Sequence, residues 1–189
     1  MVNNISFKAQ FVKPVHINRV IGQGNYNKCL ASFVELNSKD INDVKAIKLL
    51  SKEWGKKATY IKTISDNMHN EYKEQNTKGK NKIYALTTQL SDLEVLNPQD
   101  IQGVLEIIPT MSQDKDLYIS YFEVNPENTC SNSEKIYTKI GSEILNTIKK
   151  MFPKKKLFTV AGNDSQRFYE KNGFKGTPFG LLEYTPEEY

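Results

Sequence analysis

Two carboxylates, Glu106 and Glu123, fall on neighbouring predicted strands, where a carboxylate can take up a proton directly or through a chain of water. Glu106 is flanked by Leu105 and Ile107, so it faces either the open side of the sheet or bulk solvent with no chemical part. A second kind of chemistry belongs to the helix that follows Val124. A crossover from the strand ending at Val124 to the strand at Leu157 turns that helix's first turn toward the end of the first strand, where unpaired N–H groups and a positive dipole end suit an anion. Gly22-Gln23-Gly24-Asn25 reads as a turn and not as a phosphate grip, because Asn27 stands where a third glycine is required. Cys29 and Cys130 form no C-x-x-C and have no paired histidines nearby, which argues against a disulfide framework or structural zinc and for free thiols in a reducing cytoplasm. No metal is expected. His69, alone on a predicted helix, reads as a surface residue.

The elements that must position these groups follow from periodicity. Cys29 to Leu36 alternates as a strand, and Asp40 is a good N-cap for a helix carrying Ile41, Val44, Ile47, Leu50 and Trp54, closed by Gly55. Ile61, Ile64, Met68 and Tyr72 mark a second helix, ending in the polar stretch 76–81. The period then changes to two over 82–90, 101–110 and 117–124, three consecutive strands separated by turns at Asn97-Pro98 and Gln113-Asp114. Ile136, Ile140, Ile144, Ile148 and Phe152 form a helical stripe stopped by Pro153. A short buried strand (156–161), a short helix (164–171) and a hairpin-like end (174–184) complete an α+β pattern in which the strands at Val124 and Leu157 lie parallel.

With 189 residues, 38% of them hydrophobic and 25% charged, the chain reads as one soluble domain, 28–189, preceded by an amino-terminal extension, 1–27. The apolar runs fall short of the roughly 20 residues that a membrane span needs, and Met1 to Gln10 is too polar for a signal peptide. An unanchored, cytoplasmic protein is expected. Of its 26 basic residues only Arg19 and Arg167 are arginine, and lysines cluster over 45–62 and 149–156, Lys154, Lys155 and Lys156 standing in a row. Solvated turns explain such clusters more simply than nucleic acid does.

Three segments carry a resemblance to a known family: 118–126 (YISYFEVNP), 137–145 (YTKIGSEIL) and 168–174 (FYEKNGF). Across residues 28 to 184 the chain resembles the GNAT superfamily, the acetyl-CoA-dependent N-acetyltransferases. The most specific element is Phe168-Tyr169-Glu170-Lys171-Asn172-Gly173-Phe174, which looks like the family's F-Y-E-K-x-G-F ending. The family's pyrophosphate loop, Q/R-x-x-G-x-G/A, maps with Ile136 at the first position, Lys139 at the first glycine and Gly141 at the second, so two of three signature positions depart. Ser131-Asn132-Ser133-Glu134 fits a capping box that starts the helix early, whereas the family pattern keeps a loop until about Thr138; the latter is followed here.

The resemblance implies a GNAT fold, a mixed central sheet with splayed parallel strands flanked by helices. Acetyl-CoA would lie in the splay, its pantetheine arm along the main chain at Phe122 and Val124, supplying partners that parted strands lack. Its pyrophosphate would rest on Thr138, Lys139, Ile140, Gly141 and Ser142, with Lys139 adding a cation. Asn163 stands one residue later than the family's pantetheine-contacting asparagine, and Arg167 is placed either to reach the adenosine phosphate or in solvent. Tyr169 takes the role of general acid toward the departing thiolate, the amine attacking directly. Residues that project a base in the family map to Ser120 and Tyr118, neither a strong base, which leaves Glu123 and Glu106. The expected activity is acetyl transfer to a primary amine, on a small molecule or on a peptide or protein. The alternatives are a weakly active or non-catalytic coenzyme A-binding module, possible because the loop is eroded, and an effector acting on aminoacyl-tRNA, which only the lysine clusters support. A homodimer is compatible with the resemblance.

Overall fold

The computed structural model describes residues 9–22, 24–74, 81–111, 116–129 and 134–186. Cys130, Ser131 to Ser133 and the Gln113-Asp114 turn lie outside them. The chain opens with an antiparallel hairpin of β1 (Gln10–Gly22) and β2 (Asn25–Leu36), paired from Gln10↔Glu35 to Gly22↔Asn25. Gly24 stands in the turn at φ +75°, a left-handed backbone that glycine adopts without strain. Residues 10–22, placed by sequence in a separate extension, are therefore a strand of the same sheet, and the expected boundary at 28 falls inside β2. Periodicity missed β1 because its burial is irregular: Val15 and Ile17 face the core, while Phe11, His16 and Ile21 are exposed.

Helix α1 (Ile41–Trp54) starts at Asp40, whose side chain accepts from the Asn42 N–H at 2.7 Å, and stops at Gly55 with φ +53°. Helix α2 (Ile61–Glu74) follows, and the two bury Val44, Ile47, Leu50, Trp54, Ile61, Ile64 and Met68 against one face of the sheet. Each such fully buried side chain contributes about 1.5–3 kcal/mol. The strands β3 (Lys82–Thr87), β4 (Ile101–Pro109) and β5 (Leu117–Val124) form the expected antiparallel meander. A two-residue strand, β6 (Tyr137–Thr138), precedes α3 (Ile140–Met151). Then come β7 (Leu157–Thr159), α4 (Asn163–Lys171), β8 (Lys175–Gly176) and β9 (Leu182–Tyr184).

The described strands form one mixed sheet in the order β6-β1-β2-β3-β4-β5-β7-β9-β8. Helix α3 covers the face opposite α1 and α2, burying Ile140, Ile144, Leu145 and Ile148 against Phe33, Tyr84, Leu105 and Ile119. It approaches β4 so closely at Gly103 that a β-carbon there would stand 2.6 Å from Ile144 Cδ1.

Two irregularities in β5 shape everything around the site. The pairs Ile107↔Ile119 and Glu106↔Tyr121 leave Ser120 as an extra residue, a β-bulge. The bulge shifts the alternation of side chains. Leu117 and Ile119 belong to the α3 side, and beyond the bulge so do Phe122 and Val124, while Tyr121 packs on the α1/α2 side. The second irregularity is a fork. β5 and β7 pair in parallel only at Leu117↔Leu157, Tyr118↔Phe158 and Ile119↔Thr159; β7 then ends, and β5 continues alone on that side to Val124.

Candidate functional site

The fork opens directly before the first turn of α3. The first helical bond runs from the Glu143 N–H to the Lys139 carbonyl at 2.9 Å, so the N–H groups of Ile140, Gly141 and Ser142 have no acceptor within the helix. The N-cap, Lys139, brings no side-chain cap and holds φ +65°, ψ 7°. That left-handed conformation costs a lysine about 1–2 kcal/mol relative to glycine. The backbone thus holds a shape that glycine adopts without strain, with a cation on the same residue.

The approach to this turn is clamped from two sides. Asn128 Oδ1 accepts from the Ile136 N–H at 3.0 Å and the Tyr137 N–H at 2.7 Å, while its Nδ2 donates to Gln102 Oε1 at 2.8 Å. Thr138 pairs with Asn18 and Tyr137 with Arg19 of β1, and the Val20 N–H donates to the Ile136 carbonyl at 2.8 Å. The amino-terminal strand, read from sequence as an extension, is therefore what holds the loop before α3. The helix starts at Ile140 and not at the capping-box position; Glu134 lies in a turn.

Tyr169 projects from α4 into the closed end of the fork. It is 6% exposed, its ring packs edge-on against Phe168 at 5.2 Å and Phe174 at 5.3 Å, and its hydroxyl lies near the Thr159 side chain. Thr159 Oγ1 in turn donates to the Ile119 carbonyl at 3.3 Å, the last paired position before the strands part. Burial pushes the Tyr169 phenol up to about 12; the nearby Thr159 hydroxyl opposes this, and Tyr60, Tyr118 and Glu123 add to it. The phenol therefore keeps its proton throughout the neutral range and is available as a proton donor. Phe168 lies against Phe122 of β5 at 5.9 Å between centroids and against Gly141 of α3, tying the walls of the fork together.

The two carboxylates are placed differently from what sequence suggests. Glu106 is 1% exposed, neither open to solvent nor on an open face. It lies beneath α2, where Asn67 Nδ2 donates to it at 3.1 Å and Asn81 Nδ2 at 2.6 Å. Burial pushes it up, the two amides oppose this, and Glu71 raises it further. Local sequence does not reveal this burial because Asn67, which covers Glu106, is remote along the chain. Glu123 is half-buried and accepts the Tyr60 N–H at 2.8 Å; burial raises it as well. Tyr60 packs on Tyr121 with centroids 5.7 Å apart. Tyr60, Thr159 and Asn67 carried no motif, and only their contacts with residues far along the chain mark them.

Arg167 is exposed on α4. Asn163 opens that helix with its backbone, and its side chain lies outside the described part. Among the described residues no group of histidine, cysteine or acidic side chains is arranged to hold a metal, and no helix is long and apolar enough to cross a membrane.

A nine-stranded mixed sheet with a forked parallel pair, a helix opening at the fork and helices on both faces defines the GNAT fold. The chain is similar to the catalytic domain of the Tetrahymena GCN5 histone acetyltransferase in complex with coenzyme A, at TM-score 0.52 and 15% identity over 86% of this chain and 97% of that one. It is also similar to a GNAT-family protein from Desulfovibrio desulfuricans, at 0.50 and 15% over 81% and 94%, and to an acetyltransferase from Thermus thermophilus, at 0.50 and 12% over 82% and 94%. No protein-family model and no curated protein matches the sequence.

Proposed function

We propose that this protein is an acetyl-CoA-dependent N-acetyltransferase acting on a primary amine. The observation that carries the reading is the parting of β5 and β7 after Ile119↔Thr159 together with the buried Tyr169, whose neighbour Phe168 packs on Phe122 of the lone stretch of β5. The donor set fits a long, pyrophosphate-bearing thioester. β5 has no strand partner beyond Ile119 on the β7 side, the first turn of α3 offers the N–H groups of Ile140, Gly141 and Ser142, and Lys139 adds a cation. Phe122 and Val124 lie on the stretch of β5 that runs alone.

Acetyl-CoA, when bound, supplies an activated acyl group and a thiolate leaving group. The chain's part is to hold that group in line with an amine and to deliver the Tyr169 proton to the sulfur as the C–S bond breaks. The acceptor is a small-molecule amine or an amine of a peptide or protein, approaching from the α1/α2 side. The free Cys29 thiol fits a reducing cytoplasm.

A second reading, a coenzyme A-binding module without turnover, is favoured by the state of the carboxylates: Glu106 is sealed under α2 and Glu123 is engaged by a main-chain N–H. The experiment that separates them is thiol release from acetyl-CoA across a panel of amines, alongside calorimetric titration with coenzyme A. Turnover that falls in Tyr169→Phe supports the enzyme; saturable binding without turnover on any amine supports the module.

A further inference from the structure

The loop between α1 and α2 carries no motif, yet it is tied to β5 at one defined place. Helix α2 has no acidic residue in its own first turn, and the carboxylate at its start comes from β5, on which it packs. Glu123 Oε2 accepts the Tyr60 N–H at 2.8 Å, and the Thr59 N–H lies near the same carboxylate. Tyr60 is the residue from which α2 departs, the Ile64 N–H donating to its carbonyl at 3.0 Å. Once its backbone is held there, the Tyr60 ring lies on Tyr121, two residues before Glu123 on the same strand. Both rings stand on the α1/α2 side of the sheet, and Tyr60 remains 43% exposed. Tyr60, Tyr118 and Glu123 also lie close enough to the Tyr169 hydroxyl to push its pKa up.

We infer that Glu123 is a positioning residue: its carboxylate pins the start of α2 on β5 and so fixes Tyr60 against Tyr121 as an aromatic wall that the acceptor amine meets on its way to the fork. This rests on the acetyltransferase reading for the word acceptor, but the pinning does not. A carboxylate engaged by a main-chain N–H is a poor choice for the base that takes the amine proton. The wall suits an alkylamine, whose methylenes lie on the ring faces and whose ammonium form is drawn to them. The contact also explains why a bulge is needed at Ser120: without it, the alternation set by Leu117 and Ile119 would turn Tyr121 and Glu123 toward α3.

The test compares Glu123→Gln, which keeps an oxygen acceptor, with Glu123→Ala and Tyr60→Ala. Amide hydrogen exchange over 59–61 should quicken about ten-fold or more in Glu123→Ala and stay near wild type in Glu123→Gln. In steady-state assays with an alkylamine, Glu123→Ala and Tyr60→Ala should raise the acceptor KM about ten-fold while the acetyl-CoA KM changes by less than about two-fold. Glu123→Gln should lose no more than about three-fold in kcat and keep the wild-type pH profile. Unchanged exchange in Glu123→Ala overturns the pinning. A loss of about a hundred-fold in kcat in Glu123→Gln, with the acidic limb of the profile gone, makes Glu123 the base and overturns the inference. If the wild type turns over no amine, the acetyltransferase reading fails and the exchange measurement still decides the pinning.

Discussion

The ring of Phe168 lies on the α-carbon of Gly141, so close that a β-carbon on Gly141 would stand 2.9 Å from Cζ and 3.0 Å from Cε2. One contact thus joins the first turn of α3 to α4, and Phe122 on β5 closes the group from the third side. Gly141 is needed here for close approach and not for its backbone angle. The spacing between the first turn of α3 and Tyr169, which follows Phe168 directly, depends on it.

Gly141→Val should therefore destabilise the fold by about 1–3 kcal/mol, because the ring that must move is rigid and held on both sides. Coenzyme A affinity should fall with it. Chemical denaturation of Gly141→Val and of a double variant with Phe168→Leu checks this, the smaller partner restoring part of the loss. An additive double variant would show that the two residues are not in contact.

Tyr169→Phe removes the hydroxyl and keeps the ring that Phe168 and Phe174 pack against. Its kcat should drop about 10²–10⁴-fold, with coenzyme A affinity nearly unchanged. Because the wild-type phenol is pushed up to about 12, chiefly by burial, the wild-type rate should show no loss from its ionisation as pH rises toward 10. A rate in Tyr169→Phe close to wild type would remove the hydroxyl from the chemistry.

Lys139 combines a strained backbone with a charge, and two substitutions separate them. Lys139→Gly should be more stable than Lys139→Ala by about 1 kcal/mol, since only glycine relieves the left-handed φ. Both should bind coenzyme A several-fold more weakly than the wild type and with a shallower salt dependence, read by calorimetry at two ionic strengths. Tighter binding by Lys139→Gly would mean that the lysine hinders the phosphates.

Asp43, fully buried in α1, accepts the Asn37 N–H at 2.8 Å through Oδ2, and its Oδ1 has no partner. Burial pushes it up to about 7; the Asn37 bond opposes this and Asp40 adds to it. The folded state therefore keeps a proton that the unfolded chain releases near pH 4, and stability should decline as pH rises from about 4 to 7, then level off. Thermal unfolding across that range should show the decline in the wild type and a flatter profile in Asp43→Asn, which keeps an acceptor and carries no charge. An identical slope in both proteins would place the titration elsewhere.

Much of this architecture could be read from residue order because its causes are local. The Asp40 cap, the Gly55 stop, the period-two runs of β3 to β5 and the stripe from Ile140 to Ile148 each depend on neighbours within a turn or two. The run from Phe168 to Phe174 marked Tyr169, and the expected crossover placed β5 parallel to β7. What sequence alone could not decide arises from pairing between distant segments. Nothing near Ser120 announces a bulge, since a bulge is a mismatch of register with β4. β1 became part of the domain only through its ladder with β2, Glu106 became buried only when α2 folded over it, and Lys139 took a glycine's backbone because β6 and α3 fix both of its ends. Local spacing chooses the elements; which carboxylate stays free, and which tyrosine faces the fork, depends on strand register, and that exists only between chain segments brought together in three dimensions.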